Sequence, residues 1–279
     1  MHFEPSTFSR LAAQAGIHVP RLQWPTELTS TNDVLSDALT DAPDQWPDYS
    51  VLGTDFQSAG HGRLGRTWTV PTSGAVTFSV PVRIPREFPR DMLGWLPLVT
   101  GWAVADTVRT QGVDAGVKWP NDVLVGNRKL CGILVRAVPT RGADGSDDLV
   151  AVIGIGINAG FTEADLPVDT ATSVLLEGGD PAPEALVLGV LTRLQDVVTD
   201  LFAAGCSDPG SAIARSTAAA RVRDLMLTLG SAVDVELPGG ARLHGTATDL
   251  GPDASLEVHD GTHSHSVSAG DVVHARPAR

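Results

Sequence analysis

Four short runs in this chain combine residue types and spacings that can do chemistry. The first is Gly60-His61-Gly62-Arg63-Leu64-Gly65-Arg66-Thr67-Trp68. Its glycines let backbone amides approach an anion closely, Arg63 and Arg66 add fixed positive charge, and Trp68 offers a flat face for a base. No acidic residue lies between Gln57 and Trp68, so in an acidic protein this is the expected phosphate pocket. The run also matches the G-x-G-x-x-G dinucleotide pattern. That reading is rejected, because the pattern requires a helix to start at the glycines. Here the chain continues Thr67-Trp68-Thr69-Val70-Pro71, which is strand-like and then broken by proline.

The second run is Lys118-Trp119-Pro120-Asn121-Asp122, followed by Arg128-Lys129-Leu130-Cys131-Gly132-Ile133. Of 20 basic side chains, only Lys118 and Lys129 are lysines. Two such rare lysines so close in sequence mark sites where a compact ammonium is needed and a guanidinium fork will not serve. The Gly126-Asn127 turn is expected to fold the segment into a hairpin and bring both lysines onto neighbouring strands. Two ammonium groups side by side call for an anion between them, a phosphate or a carboxylate. Asp122 could ligate a magnesium ion. The third run, Gly154-Ile155-Gly156-Ile157-Asn158, closes an apolar strand. Its glycines suit close approach of a ligand or a backbone, and Asn158 can both donate and accept. The fourth is Ser30-Thr31-Asn32 together with Gln57, which read alone is a helix N-cap.

The elements that must position these runs follow from hydrophobic periodicity. Helices are expected over Ser6–Gln14, after the Ser/Thr cap near residue 30, over Met92–Thr110 and over Leu186–Phe202. Strands are expected over Arg21–Leu28, Tyr49–Gln57, Ala75–Ile84, Val117–Val125, Lys129–Ala137 and Leu149–Ile157. Strands and helices alternate irregularly, which predicts an α+β mixed-sheet domain over residues 1–222. From Arg223 the texture changes. Five short strands are bounded by Gly and Asp turns, among them Pro238-Gly239-Gly240, and predict a small β-barrel over residues 223–279. His259, His263 and His265 in this part lack ordered metal-ligand spacing and read as a solvated hairpin.

Composition narrows the function classes. The net charge of -13 disfavours broad nucleic-acid binding. Two distant cysteines, Cys131 and Cys206, argue against a disulfide framework and for a reducing cytoplasm. The amino terminus does not read as an export signal, and the longest uncharged stretch, Leu93–Ala105, is too short and too rich in Gly and Pro for a membrane span.

Taken together, in this order and spacing over roughly residues 25–160, the four runs resemble the biotin protein ligase family. The tail resembles that family's C-terminal SH3-like barrel at Leu229-Gly230, Glu236–Gly240 and Val267–His274. The resemblance implies two half-reactions: biotin and MgATP give biotinyl-5′-AMP, then a lysine of a biotin carboxyl carrier protein or domain of an acetyl-CoA or other acyl-CoA carboxylase takes the biotin. Carried onto this sequence, it implies that Ser30, Thr31, Asn32 and Gln57 meet the ureido end of biotin, while Gly60, His61, Gly62 and Arg63 wrap biotin and phosphate, with Gly132 and Ile133 alongside. It implies ATP contacts from Arg63, Arg66, Trp68, Lys118, Asn121 and Asn158, and a bridging role for Lys129 between the biotin carboxylate and the α-phosphate. The residues expected to carry catalysis are Arg63, Lys118, Lys129 and Asp122, the last also as the magnesium ligand.

Two features depart from the family pattern. His61 stands where arginine is usual. Only about 20 residues precede the first motif strand, so the helix-turn-helix of repressor members is not expected, nor is DNA binding. Two rivals share parts of this reading: a lipoate ligase or octanoyltransferase of the same fold, and a non-catalytic biotin or nucleotide sensor.

Overall fold

The computed structural model describes residues 1–68, 74–142, 145–166, 168–207, 211–237, 241–268 and 274–277. The stretch Thr69–Pro71, the Pro238-Gly239-Gly240 turn and most of the link from Val267 to His274 therefore lie outside the described residues. Helix α1 covers Pro5–Gln14, α2 Thr31–Asp41, α3 Trp95–Arg109, α4 Pro183–Ser207, α5 Ser211–Ala214 and α6 Thr217–Asp224. The strands are β1 Leu22–Gln23, β2 Glu27–Leu28, β3 Val51–Thr54, β4 Phe56–Gln57, β5 Ala75–Arg83, β6 Ala115–Lys118, β7 Asp122–Val125, β8 Arg128–Arg141 and β9 Asp147–Asn158. Five more follow: β10 Ala232–Glu236, β11 Arg242–Leu250, β12 Leu256–His259, β13 Ser264–Val267 and β14 His274–Pro277.

The main sheet has seven strands in the order β1-β3-β5-β9-β8-β7-β6. The β1–β3 pair is parallel and the rest are antiparallel, so the sheet is mixed, as the sequence predicts. Helices α3, α4 and α6 pack together on one face, and α2 lies on the other, against β5, β8 and β9. Two cores result. The larger takes Phe78 and Val80 of β5, Ile133 of β8, and Ile153, Ile155 and Ile157 of β9, all under α3 and α4. The smaller takes Leu35 and Leu39 of α2 with Val138, Val150 and Val152. Because side chains alternate along a strand, the row beneath α2 on β9 runs Val150, Val152, Gly154, Gly156. The small core ends where the glycines begin, and there the sheet surface is bare backbone.

Three expected strands are each two strands in the fold. Arg21–Leu28 divides into β1 and β2 around Pro25, and Tyr49–Gln57 into β3 and β4 around Asp55; β2 and β4 form a separate two-stranded ribbon. Val117–Val125 divides into β6 and β7 at Trp119-Pro120-Asn121. Pro120 cannot donate to a ladder, and the Trp119–Pro120 peptide is cis.

The C-terminal strands form a five-stranded antiparallel sheet, β13-β12-β11-β10-β14. It is moored to the rest of the fold by tryptophans: Trp95 Nε1, at the start of α3, donates to the Pro252 carbonyl at 2.7 Å and Trp119 Nε1, between β6 and β7, to that of Ala254 at 3.0 Å. Arg223, near the end of α6, adds an ion pair to Asp249 at 2.8 Å. Among the described residues, no helix is long and apolar enough to cross a membrane.

Candidate functional site

A cavity of about 160 Å³ opens on the α2 face, over the bare backbone of β8 and β9. Its floor is set by register. Gly132 of β8 lies opposite Gly156 of β9, and the indole of Trp68 lies on both. A Cβ at Gly156 would sit 2.6 Å from Trp68 Cζ2, and one at Gly132 3.1 Å from Trp68 Cζ3. Gly154 gives the same clearance to Asn32, whose Oδ1 would be 2.4 Å from an added Cβ. The glycines of the third run are thus explained by close approach of side chains, with no unusual backbone angle needed.

One end of the cavity is neutral and polar. It is built by the N-terminus of α2, where the Ser30 hydroxyl caps the Asp33 amide at 3.3 Å. Gln57 Oε1 accepts from the Thr31 amide at 2.8 Å. Asn32, 4% exposed, donates from Nδ2 to the Leu134 carbonyl at 2.9 Å and accepts at Oδ1 from the Ser79 hydroxyl at 2.6 Å. Ser79 also reaches the Thr31 hydroxyl at 2.8 Å. Asn32 thereby bolts α2 onto β5 and β8, and Ser30, Thr31, Asn32 and Gln57 all line the cavity. Sequence reasoning missed Ser79 and Leu134 as supports. Period two along β5 and β8 carried the signal, but only the register brings them under α2.

The other end is cationic. The glycine-arginine run is a hairpin, not a helix start: Trp68 N donates to Gly60 O at 2.9 Å and Gly62 N to Arg66 O at 2.7 Å, and His61 pairs with Thr67. His61, Gly62, Arg63, Arg66 and Trp68 line the cavity. Gly60 lies behind them; a Cβ there would meet the Trp68 carbonyl at 2.5 Å and Gln57 Nε2 at 2.8 Å. Burial lowers the pKa of the Arg63 guanidinium from its ordinary value; Arg66 acts in the same direction and Asp122 opposes both. From the sheet come Asn121, Asp122, Lys129 and Ile133. Lys129 Nζ lies 2.7 Å from Asp122 Oδ1 and 5.7 Å from the Trp68 ring centre. That carboxylate oxygen is buried and makes no aligned hydrogen bond, so the contact is a charge pair and not a well-formed hydrogen bond. Among the described residues, Trp68 Nε1 likewise has no hydrogen-bond partner and is buried.

Two expectations need correction. The lysines are not on neighbouring strands: Lys118 ends β6, Lys129 is on β8, and β7 runs between them. The anion beside Lys129 is Asp122, which the extra strand break delivers, and Lys118 is outside the cavity lining. Asn158 is also outside it. It is 5% exposed and donates to the Lys129 carbonyl at 3.2 Å. With the Lys129 amide bonded to the Thr170 carbonyl at 2.7 Å, Asn158 holds the lysine's backbone in place. Cys131 faces the opposite core, fully buried, and burial pushes its thiol well above the usual cysteine range.

Residues 24–158 match the model of the Biotin/lipoate A/B protein ligase family. The biotin–[acetyl-CoA-carboxylase] ligase of Mycobacterium tuberculosis is 35% identical over 230 residues, 81% of this chain and 79% of that protein. The bifunctional ligase/repressor BirA of Escherichia coli is 40% identical over 150 residues, 53% of this chain and 45% of that one. Among solved structures, the biotin protein ligase of Aquifex aeolicus in complex with biotin and ATP superposes with a TM-score of 0.70 at 25% identity, covering 93% of this chain and 100% of that one. Motifs, mixed sheet, glycine-floored cavity and relatives converge: the chain belongs to the biotin protein ligase family.

Proposed function

We propose that this protein activates biotin with ATP to biotinyl-5′-AMP and transfers the biotin to a lysine of the biotin carboxyl carrier protein or domain of an acetyl-CoA or acyl-CoA carboxylase. The observation that carries this reading is the polarity of the cavity. A hydroxyl-and-amide end at Ser30, Thr31 and Gln57 suits a neutral ureido group, and a cationic end at Arg63, Arg66 and Lys129 suits a carboxylate meeting a phosphate.

On this reading the chain supplies position and charge, and no nucleophile of its own. Lys129 leaves Asp122 for the biotin carboxylate and the α-phosphate, holding two anions in reacting distance and stabilising charge as the mixed anhydride forms. Arg63 and Arg66 close over the phosphate, with Lys118 acting from outside the cavity. Trp68 packs on adenine, beside Asn121, and Asn158 acts through the backbone of Lys129. A magnesium ion bound with ATP would neutralise phosphate charge. The buried Asp122 oxygen, with no aligned hydrogen bond, fits as its protein ligand. Residues 1–222 form the biotin- and ATP-binding unit and 223–279 the small barrel, in a cytoplasmic enzyme that engages neither DNA nor membrane.

An octanoyltransferase route through a thiol is disfavoured by the burial of Cys131 on the far face of the sheet. The test is direct. The protein is mixed with MgATP, labelled biotin and a purified carrier domain, with lipoate as the competing acid. Label on the carrier lysine that lipoate does not suppress is expected; ATP-dependent lipoylation without biotinylation would overturn the reading.

A further inference from the structure

Asp33 belongs to none of the four runs as first read, yet it joins three walls of the cavity. It sits in the first turn of α2, its amide capped by Ser30. Its Oδ1 lies 2.7 Å from Arg136 Nη1 of β8, and its Oδ2 lies 3.0 Å from His61 Nε2 of the glycine-rich hairpin. Both carboxylate oxygens are used. One is held by a guanidinium on the rigid sheet, the other by the imidazole of the hairpin.

We infer that Asp33 is a positioning residue that latches the hairpin shut over the bound intermediate through His61. This rests on the biotin ligase reading for the identity of the intermediate, but not for the latch itself. The hairpin carries glycine at 60, 62 and 65, so its own backbone gives little stiffness and closure depends on side-chain ties. Arg136 fixes the carboxylate before the hairpin arrives. The His61 imidazole then completes the tie from the hairpin side, at 3.0 Å. The side chains of His61 and Asp33 are 48% and 32% exposed, which limits the effect to about two- to fivefold in rate.

The experiment measures dissociation of biotinyl-5′-AMP from the wild type, Asp33→Asn and His61→Arg. Release should be about two- to fivefold faster from Asp33→Asn than from wild type. His61→Arg, which puts a guanidinium opposite Asp33, should stay as slow as wild type. Equal release from wild type and Asp33→Asn overturns the latch. A second arm needs no ligand: tryptic cleavage after Arg63 and Arg66 at about pH 7 should be about two- to fivefold faster in Asp33→Asn than in wild type, at matched melting temperature. Equal cleavage overturns the latch even if no adenylate forms at all, whereas failure to form adenylate with faster cleavage in the variant sinks only the functional reading.

Discussion

Adding one methyl group to the cavity floor separates the fold from its binding surface. In Gly156→Ala the new Cβ lies 2.6 Å from Trp68 Cζ2 and 2.7 Å from Cε2. Carbon atoms rest at about 3.5 Å or more, so the indole must retreat by roughly 0.9 Å. Forcing a methyl into a packed site costs about 1–3 kcal/mol. The strain falls on a hairpin side chain and not on the sheet, because Gly156 faces away from the large core. Stability should therefore lose only about 1 kcal/mol, or about 2–4 °C in melting temperature for a chain of this size. A ligand packed over the Trp68 indole meets the displaced ring. The overpacking cost then appears in its binding, weakening biotin or its adenylate about 10- to 100-fold. Gly132→Ala is the internal control. Its Cβ meets Trp68 Cζ3 at 3.1 Å and the Lys129 terminus at 3.2 Å, atoms that give way by a few tenths of an ångström, so affinity should fall less than about threefold. Calorimetric titration with biotin and a thermal melt of both variants decide the matter. If Gly156→Ala binds biotin as tightly as the wild type while the melt is normal, the indole over the glycine pair does not bear on the ligand. If Gly132→Ala is the worse of the two, the geometric ranking is wrong.

Three further outcomes are expected. Lys129→Ala should abolish adenylate formation, followed by pyrophosphate exchange, while the fold survives: truncation strands only the Asp122 carboxylate, which Arg63 still attracts, and exchange within twofold of wild type would refute the assignment. Arg63→Gly should retain part of adenylation but let the intermediate escape, so biotin incorporated into serum albumin relative to the true carrier should rise; a constant ratio with lower total activity would make Arg63 a purely local support. Tyr49 is the single tyrosine, so absorbance at 295 nm titrates it alone. Burial, with Asp48 adding and a Thr199 hydrogen bond opposing, pushes its phenol up to about 12. The folded value exceeds the unfolded one, so its contribution to stability is complete below about pH 10 and is lost as pH rises through about 12. Titration near the ordinary tyrosine value in folded protein would contradict the burial assigned to it, and Tyr49→Phe should flatten this part of the stability profile.

The chemistry of the site was legible in the chain because each piece is local. The Ser30 cap needs only one helical turn, the glycine-arginine run needs only a tight hairpin, and period two places Gly154 and Gly156 on one face of a strand whose other face is Ile153, Ile155 and Ile157. The tail read as short antiparallel strands for the same reason. Which groups meet across the site was not legible, because that depends on strand breaks and register. Val117–Val125 reads as one strand interrupted only by Pro120, and a single strand there would put Lys118 on the strand next to that of Lys129. The break at Trp119-Pro120 inserts β7, sends Trp119 to the C-terminal sheet, moves Lys118 out of the cavity and sets Asp122 against Lys129. That Asn32, which lines the cavity, also ties α2 to Ser79 and Leu134 shows only in the register of β5 and β8. Asp33 and Arg136 are 103 residues apart, and no local pattern relates them. A residue's own turn and face follow from interactions a few positions away; its partner across a sheet follows from the whole order of the strands, which only tertiary packing decides.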